Sequence, residues 1–209
     1  MIHPPGLDGA RFGEASDGDP RTDDEAVARF ARHGAPTAIA FPHQVHGATV
    51  QLATTAGAAG DADALITTTA DLGVAVATAD CVPVIIEGPG FAAVVHAGWR
   101  GIVGGVMAAT VEAIGSMGLT PRQAAVGPAI GPCCYQVGAE VLDRLAGHVA
   151  TTTWGAPSVD LPAAATMALG DLPVWRSERC TFTDHRLNSH RRDRTARRQV
   201  AVAWCRSGP

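Results

Sequence analysis

Short apolar runs, separated by glycine-rich or polar stretches, recur along most of the chain. Runs of roughly four to eight apolar residues that are rich in β-branched side chains are typical of buried strands. They predict strands at 45–52, 74–79, 82–86, 91–96, 123–127, 174–176 and 199–205. The small-residue segment 53–63 interrupts this pattern and is predicted to be an exposed loop.

Three other segments carry apolar residues at the spacing of a helix. After Gly101, apolar residues recur every three to four positions as far as Met117, and Gly118 is a suitable end. A second helix is predicted over 137–148, and a short third helix follows Pro162, because proline is tolerated in a first turn. Strands and helices do not follow a strict βαβ order, which favours an α+β fold.

Composition places the chain among ordinary soluble globular proteins. It has 209 residues, of which 46% are hydrophobic and 17% charged, so we expect a single domain over residues 1–209. No apolar run reaches the roughly 18 to 20 residues of a membrane helix, and the N-terminus does not resemble an export signal. We therefore expect a cytoplasmic protein without a membrane partner.

The cysteines and arginines refine this picture. Five cysteines, two of them adjacent, are not expected to form a disulfide framework without an export signal, so they are predicted to be free thiols or ligands. Nine arginines lie between Arg176 and Arg206, but the formal net charge is −4 and this region has few aromatic residues. Because a nucleic-acid surface needs a basic field and stacking platforms, we expect no nucleic-acid partner.

A predicted hairpin brings two reactive side chains together. If residues 87–90 form its loop, Ile86 faces Phe91 and Cys81 lies opposite His96. Directly opposed residues have Cβ atoms about 4.5–5.5 Å apart, so a thiolate and an imidazole could share a metal ion or a proton. Pro83 complicates this pairing, because proline in a strand requires an edge position or a bulge.

A metal site would need a third ligand, and "HQVHG" offers His43 and His46. Two histidines and one cysteine around zinc leave a fourth position for water or substrate, as in catalytic zinc sites. The alternative is that Cys81 is a buried small apolar residue and that His96 is an ordinary core or surface histidine.

Several motifs together resemble one known family. "QVHG", "DADALITT", "TADCVPV", "HAGWRG", "VGPAIGPCCYQVG", "DLPAAA" and "CTFTD" followed by "SHRRD" occur in the order found in YfiH-like laccase-domain proteins. This multicopper polyphenol oxidoreductase family is now regarded as purine nucleoside phosphorylases, and the resemblance extends from about residue 40 to the C-terminus. Before it, only "ARFGEAS" resembles the usual N-terminal segment, and Gln136 stands where the family often has glutamate.

The resemblance implies a fold, a metal and an activity. The fold would be two mixed β-sheets packed face to face between helices, similar to the catalytic domain of cytotoxic necrotizing factor. His46, Cys81 and His96 would be both the zinc ligands and the catalytic residues. The substrates would be phosphate and adenosine, inosine, guanosine or methylthioadenosine, with adenosine deamination as a further activity. Copper fits less well, because the eight histidines are scattered and form no paired clusters.

Phosphorolysis also requires a phosphate site. Arg100 is the first candidate, because it precedes a glycine-rich stretch that opens a helix. Arg191 and Arg192 are further candidates, although arginine runs are commonly solvated surfaces. Asp80 is expected to be a supporting or structural residue, because strand alternation would turn it away from Cys81.

Two other functions remain open at this point. Cys81 could be a nucleophile activated by His96 in a metal-free amidase or other hydrolase. The protein could instead be a binding module that holds a metal without turnover, or a polyphenol oxidase. The oligomeric state cannot be predicted from these patterns.

Overall fold

Two mixed β-sheets stack face to face in the computed structural model, which describes residues 1–205. The strands are β1 (Ala10–Phe12), β2 (Ala38–His43), β3 (Val50–Leu52), β4 (Gly57–Asp61), β5 (Ala64–Thr67), β6 (Leu72–Thr78), β7 (Val82–Gly88), β8 (Phe91–Ala97), β9 (Gln123–Val126), β10 (Val149–Thr151), β11 (Pro157–Val159), β12 (Val174–Arg176) and β13 (Gln199–Trp204). The first sheet has the order β1-β13-β6-β2-β4 and the second β12-β9-β7-β8-β5-β3. Strands β10 and β11 form a separate hairpin.

Six α-helices accompany the sheets. They are α1 (Asp24–Arg32), α2 (Trp99–Val103), α3 (Val106–Ser116), α4 (Ala139–Arg144), α5 (Leu161–Met167) and α6 (His190–Asp193), with short 3-10 helices at Ala15–Asp17 and Ala146–His148. No helix in the described part of the chain is long and apolar enough to cross a membrane.

Three apolar layers hold the elements together. Side chains such as Phe12, Leu65 and Val94 fill the space between the two sheets. The outer face of the second sheet packs against helices through residues that include Met107 and Leu161, and the outer face of the first sheet packs against Phe30 of α1. The α+β fold with two mixed sheets and flanking helices is therefore confirmed.

Several predicted elements have different limits from those expected. The helix after Gly101 is two helices, because Gly105 has a φ of 82° and interrupts the backbone between α2 and α3. The helix predicted over 137–148 is an α-helix only at Ala139–Arg144. The strand predicted at 45–52 is a strand only at Val50–Leu52, and the residues before β3 form a loop.

The predicted loop over 53–63 is wrong in its centre. Residues Gly57–Asp61 form strand β4, which pairs in parallel with β2 at the edge of the first sheet. Most of its side chains are exposed, so neither an apolar run nor alternation marked it as a strand. Strands β1, β2, β5, β10 and β11 and helices α1 and α6 were also not predicted.

The predicted pairing of the hairpin is wrong by two residues. Strands β7 and β8 extend further than expected, so that Gly88 pairs with Phe91 and only Pro89 and Gly90 form the turn. Gly90 adopts a φ of 77°, which lets so short a turn close. His96 consequently faces Pro83, and Cys81 directly precedes β7, outside the paired residues.

Pro83 causes no bulge in this interior strand. Its carbonyl accepts a hydrogen bond from Gly127 N–H, just beyond the last residue of β9. The missing proline donor therefore falls at the end of the β7–β9 ladder, where it removes no interior hydrogen bond.

Candidate metal centre

The structure brings His46, Cys81 and His96 into one cluster. Their ligand atoms all lie within 4.8 Å of one another, and Cys81 Sγ is 4.0 Å from His46 Nε2. The two imidazole rings meet edge to face, with centroids 4.7 Å apart. His43 is not part of this cluster, because its Nδ1 is 2.8 Å from the exposed carboxylate of Asp61.

A buried carboxylate, Asp63, positions both histidines of this His–Cys–His cluster. Its Oδ1 accepts hydrogen bonds from His96 Nδ1 at 2.7 Å and from His46 N–H at 3.0 Å. Its Oδ2 accepts from Gly47 N–H at 2.6 Å and Val45 N–H at 3.3 Å. These contacts stabilise the left-handed backbone of His46, whose φ is 61°. They also leave Nε2 of His96 as the nitrogen that can bind a ligand.

Gly98, the residue after β8, makes room for the cluster. It is the residue that would face Cys81 if the β7–β8 register continued one step beyond Val82 and Ala97. A Cβ atom there would lie 3.1 Å from His46 Cδ2 and 3.2 Å from Cys81 Sγ. The absence of a side chain at this position thus lets the imidazole and the thiol approach each other.

The electrostatics of the cluster favour a thiolate beside an imidazolium when no metal is bound. Burial alone would raise the pKa of Cys81, but its interactions with His46 and His96 outweigh this and lower the pKa to about 6. Burial alone would lower the pKa of His96, but Asp63 and Cys81 raise it to about 9. A thiolate and two imidazoles are also suitable ligands for zinc or copper.

The cluster lies in the wall of a cleft of about 520 Å³. His46, Cys81 and His96 line the cleft together with the polar residues Arg21, His43, Gln44, Thr78, His190 and Arg198. A cavity of this size is within the range of small-molecule sites, which is about 300–1,000 Å³. The cluster therefore has one side open to a ligand.

Arg191 lies beside Tyr135 and Arg100 beside Trp99, and neither arginine is among the residues that line this cleft. Arg191 Cζ is 5.2 Å from the Tyr135 ring centroid, and Arg100 Cζ is 4.4 Å from the Trp99 ring centroid. Burial raises the pKa of Tyr135 to about 12, the charge of Cys81 adds to this, and Arg191 and Arg100 oppose it. Neither arginine belongs to any ion pair within residues 1–205.

Arg192 and Asp80 have structural contacts instead. Arg192 donates hydrogen bonds to the carbonyls of Thr181, Phe182 and Leu187, among others, so its guanidinium is occupied within the fold. Asp80 accepts from Thr181 Oγ1 and from Arg191 N–H, both at 2.6 Å, and it precedes β7 with a φ of 95°.

Sequence reasoning missed Asp63 and Tyr135. Asp63 fell inside the predicted loop 53–63, although an acidic residue directly before an apolar run, in "DADALITT", was a usable signal. Tyr135 is the one tyrosine of the chain and follows the two adjacent cysteines, but nothing in its spacing connects it with Cys81.

Comparison with known proteins identifies the family. The model of the multi-copper polyphenol oxidoreductase laccase family matches residues 7–206. The chain belongs to this family. Laccase-family relatives include a purine nucleoside phosphorylase of Streptomyces griseus, 36% identical over 95% of this chain and 90% of its own length. Another of that name, from Mycobacterium bovis, is 38% identical over 90% of this chain and 83% of its own.

A solved structure has the same fold. YlmD of Geobacillus stearothermophilus superposes with a TM-score of 0.83 at 30% identity, covering 97% of this chain and 94% of that one. The resemblance found in the sequence motifs is confirmed, and it extends further towards the N-terminus than residue 40.

Proposed function

We propose that this protein is a zinc-dependent purine nucleoside phosphorylase that also deaminates adenosine, with His46, Cys81 and His96 as its zinc ligands and catalytic centre. The observation that carries the proposal is the His–Cys–His cluster in the wall of a cleft large enough for a nucleoside. Relatives named purine nucleoside phosphorylase, aligned over most of the chain, support the same activity.

The donor set of the cluster fits zinc. Two imidazoles and one thiolate are three ligands of the type zinc prefers, and they leave one position open towards the cleft. When bound, the ion would supply Lewis-acid polarisation of the substrate. Asp63 would hold His96 in the tautomer that presents Nε2, which is the usual role of a carboxylate behind a metal-bound histidine.

Phosphorolysis transfers the ribose from the purine nitrogen to a phosphate oxygen. The phosphate carries negative charge to the site, and in this proposal Arg100 and Arg191 bind it. Both are exposed, and no carboxylate of residues 1–205 neutralises either one in an ion pair; Arg191 Nη1 donates one hydrogen bond, to the Gln136 carbonyl, and its other donors remain for phosphate. A guanidinium can donate two parallel hydrogen bonds to phosphate, which orients as well as attracts the anion.

Product analysis tests this proposal directly. Purified protein is incubated with adenosine, inosine, guanosine or methylthioadenosine, with and without phosphate, and the products are separated by chromatography. Phosphorolysis releases the free base only with phosphate, whereas deamination converts adenosine to inosine without it. The His96→Ala variant is the matched control. Unchanged turnover in this variant, or no turnover by zinc-loaded wild-type protein, would exclude the proposed site.

One arrangement in the structure favours a second candidate, a metal-free cysteine hydrolase. Cys81 interacts with His96, and His96 in turn contacts Asp63. These three positions match a nucleophile, a base and a residue that orients the base. A cationic imidazole beside the thiolate would activate Cys81 for attack on an amide.

Chelation separates the two candidates. If the protein is a zinc enzyme, a chelator abolishes nucleoside turnover and added zinc restores it. If it is a hydrolase, metal-free protein hydrolyses an amide substrate without added zinc, and Cys81→Ser abolishes this activity.

A multicopper oxidase is poorly supported by the geometry. Within residues 1–205, two clusters could hold a metal ion, and only the His–Cys–His cluster contains histidine. Imidazole is a usual copper ligand, so oxidases with several copper ions need more histidines than these. Metal analysis of the purified protein identifies the ion, and we expect zinc.

A further inference from the structure

Three of the five cysteines form a second group of possible metal ligands, away from the proposed catalytic cluster. The Sγ atoms of Cys133, Cys134 and Cys180 all lie within 4.8 Å of one another, and those of Cys133 and Cys134 are 3.1 Å apart. All three are free thiols. From this geometry we propose that the three-cysteine cluster is a second metal site, selective for a thiophilic cation such as Zn²⁺ or Cu⁺.

The sulfur spacing suits a single ion. Zinc–sulfur bonds of about 2.3 Å in a tetrahedral site place neighbouring sulfurs roughly 3.8 Å apart. The Cys133 and Cys134 sulfurs are 3.1 Å apart and all three sulfurs lie within 4.8 Å of one another, so small side-chain rotations would bring them onto one ion. An all-sulfur ligand set excludes the hard cations Mg²⁺ and Ca²⁺, which require oxygen, and selects Zn²⁺ or Cu⁺.

The backbone holds the three cysteines in place before any ion binds. Cys134 N–H donates to the carbonyl of Gly131, and Cys133 O accepts from Thr153 N–H. On the other segment, Thr181 N–H donates to the carbonyl of Ala129, next to a bridge between Ala129 and Cys180. The thiols therefore converge because two distant segments are hydrogen-bonded to each other.

Gly131 provides the space between the sulfurs. A Cβ atom there would lie 3.4 Å from Cys133 Sγ and 3.6 Å from Cys180 Sγ. Its N–H donates to Cys180 Sγ at 3.2 Å, a hydrogen bond that favours the thiolate, the form that binds a metal. Gly131 thus leaves space for the sulfurs and also donates a hydrogen bond to one of them, where the Cys133–Cys134 segment meets the Cys180 segment.

An ion could reach the three-cysteine cluster from solvent. Cys133 and Cys180 line a cavity of about 230 Å³. Cys134 is buried behind them, so it would supply a ligand on the protein side of the ion.

Binding here would also support the proposed catalytic centre. The segment of Cys133 and Cys134 contains Ile130, whose N–H donates to the carbonyl of Asp80, and the segment of Cys180 contains Thr181, whose hydroxyl donates to the Asp80 carboxylate. Asp80 directly precedes Cys81. An ion that joins the two segments would fix both supports of Asp80, and we expect it to raise the Tm of the protein.

Metal binding by single-cysteine variants tests the proposal without any activity assay. Reduced, metal-free protein is loaded with Zn²⁺ and desalted, and the bound metal is counted. In parallel, Co²⁺ is titrated anaerobically and the sulfur-to-cobalt charge-transfer absorbance is measured. We expect Cys81→Ser to keep one ion per chain and about three quarters of this absorbance, since three of four thiolates remain.

The test variant is Cys180→Ser, which should lose the ion bound by the three-cysteine cluster and the increase in Tm that this ion causes. The matched control is Cys205→Ser. Its thiol lies in neither cluster, so it should behave as wild type. If Cys180→Ser does not fold, Cys133→Ser replaces it. Cu⁺ is tested in the same variants by competition with a coloured Cu⁺ chelator. A decrease by one bound Zn²⁺ or one bound Cu⁺ per chain when Cys180 or Cys133 is replaced supports the site.

Two results would overturn the inference. One is that the Cys180 and Cys133 variants bind as much Zn²⁺ and as much Cu⁺ per chain as wild type. The other is that Cys81→Ser binds neither metal. The outcome does not depend on nucleoside turnover. A wild-type protein that binds one ion through Cys180 would support this site even if the His–Cys–His cluster held none.

Discussion

Cys81 carries a thiol that interacts with two imidazoles, and this determines its chemistry at neutral pH. The pKa of about 6 results from His46 and His96, which outweigh the effect of burial. An ordinary cysteine has a pKa of about 8.5, so its thiol is mostly protonated at neutral pH and reacts slowly with electrophiles. The Cys81 thiol should therefore be largely ionised at neutral pH.

Alkylation of metal-free protein measures this ionisation. Because the thiolate is the nucleophile, the iodoacetamide reaction rate at Cys81 should rise as the pH increases through about 6 and should then level off. Mass spectrometry of the labelled peptides follows Cys81 separately from the other cysteines. The His96→Ala variant should need a higher pH for the same rate, and bound zinc should slow the reaction. A rate that rises only above pH 8 in wild-type protein would contradict the proposed interaction.

Asp63 is a second residue whose role can be isolated. Its two oxygens accept four hydrogen bonds, including one from His96 and one from the backbone of His46. In Asp63→Asn an amide NH₂ replaces one acceptor and faces N–H donors. We expect the free energy of unfolding to fall by about 1–3 kcal/mol. Zinc affinity should fall roughly 10- to 100-fold, the usual effect of losing a group that orients a metal ligand.

Urea unfolding and competition with a zinc chelator measure these two quantities. Asp61→Asn is the control, because Asp61 is exposed and contacts His43 outside the His–Cys–His cluster. Its stability should change by no more than about 0.5 kcal/mol. Wild-type zinc affinity in Asp63→Asn would show that this carboxylate does not position the ligands.

The β7–β8 hairpin shows how far local pattern could predict this site. The apolar runs and the turn residues indicated the hairpin correctly, but a four-residue loop and the observed two-residue turn are equally compatible with "EGPG". The length of the turn decides the register, and the two alternatives differ by two residues in every β7–β8 pair. A shift of two residues leaves each side chain on the same face of the sheet, so His96 was still expected on the correct face.

The convergence of the cluster depends on contacts that no local pattern contains. His46 comes from a loop bound to Asp63, seventeen residues later, and Cys81 follows the left-handed turn at Asp80. Non-glycine residues in left-handed conformations are uncommon and cannot be predicted from propensity. Motif resemblance selected His46 over His43, whereas the residues alone left both possible.

Gly98 links the backbone of the hairpin to the geometry of the cluster. Its φ of −71° and ψ of 166° are available to alanine, so Gly98→Ala should not strain the backbone. The added methyl would press on His46 and Cys81 at 3.1–3.2 Å. We expect zinc affinity to fall roughly 10- to 100-fold while the protein remains folded.

Gly115→Ala is the matched control. Gly115 lies in α3, and nothing within 4 Å would contact its new methyl group. Because glycine is unfavourable within a helix, this change should stabilise the protein by about 0.5–1 kcal/mol and leave zinc affinity unchanged. Equal zinc affinities in the two variants would show that space at Gly98 is not needed.

The two sheets are locked together partly by the N-terminal strand, which the sequence patterns did not reveal. β1 is an edge strand of the first sheet, and "ARFGEAS" contains its three residues. Phe12 reaches from it to the second sheet, where its ring stacks on Trp175 of β12 at 6.2 Å and lies over Gly127, which follows β9. Such a short strand gives almost no periodic signal, although its one aromatic residue is fully buried.

Phe12→Ala should therefore weaken the whole fold without altering the His–Cys–His cluster. Removing a buried phenylalanine costs about 3–5 kcal/mol, through lost burial and the cavity that remains. Neither Phe12 nor its partner Trp175 contacts His46, Cys81 or Asp63 in a hydrogen bond or a ring pair. We thus expect a large decrease in the urea midpoint, with zinc affinity at wild-type strength below the transition.

The exposed side chain of Leu52, in edge strand β3, provides the comparison. It is 50% exposed, so Leu52→Ala should change the free energy of unfolding by no more than about 0.5 kcal/mol. A similar small effect in Phe12→Ala would mean that the sheets are held together without the N-terminal strand. A loss of zinc binding in Phe12→Ala under native conditions would instead mean that the cluster depends on how the sheets are stacked. The expected result, lower stability with intact zinc binding, follows because Asp63, β7 and β8 all belong to or adjoin the second sheet and are held by its own hydrogen bonds.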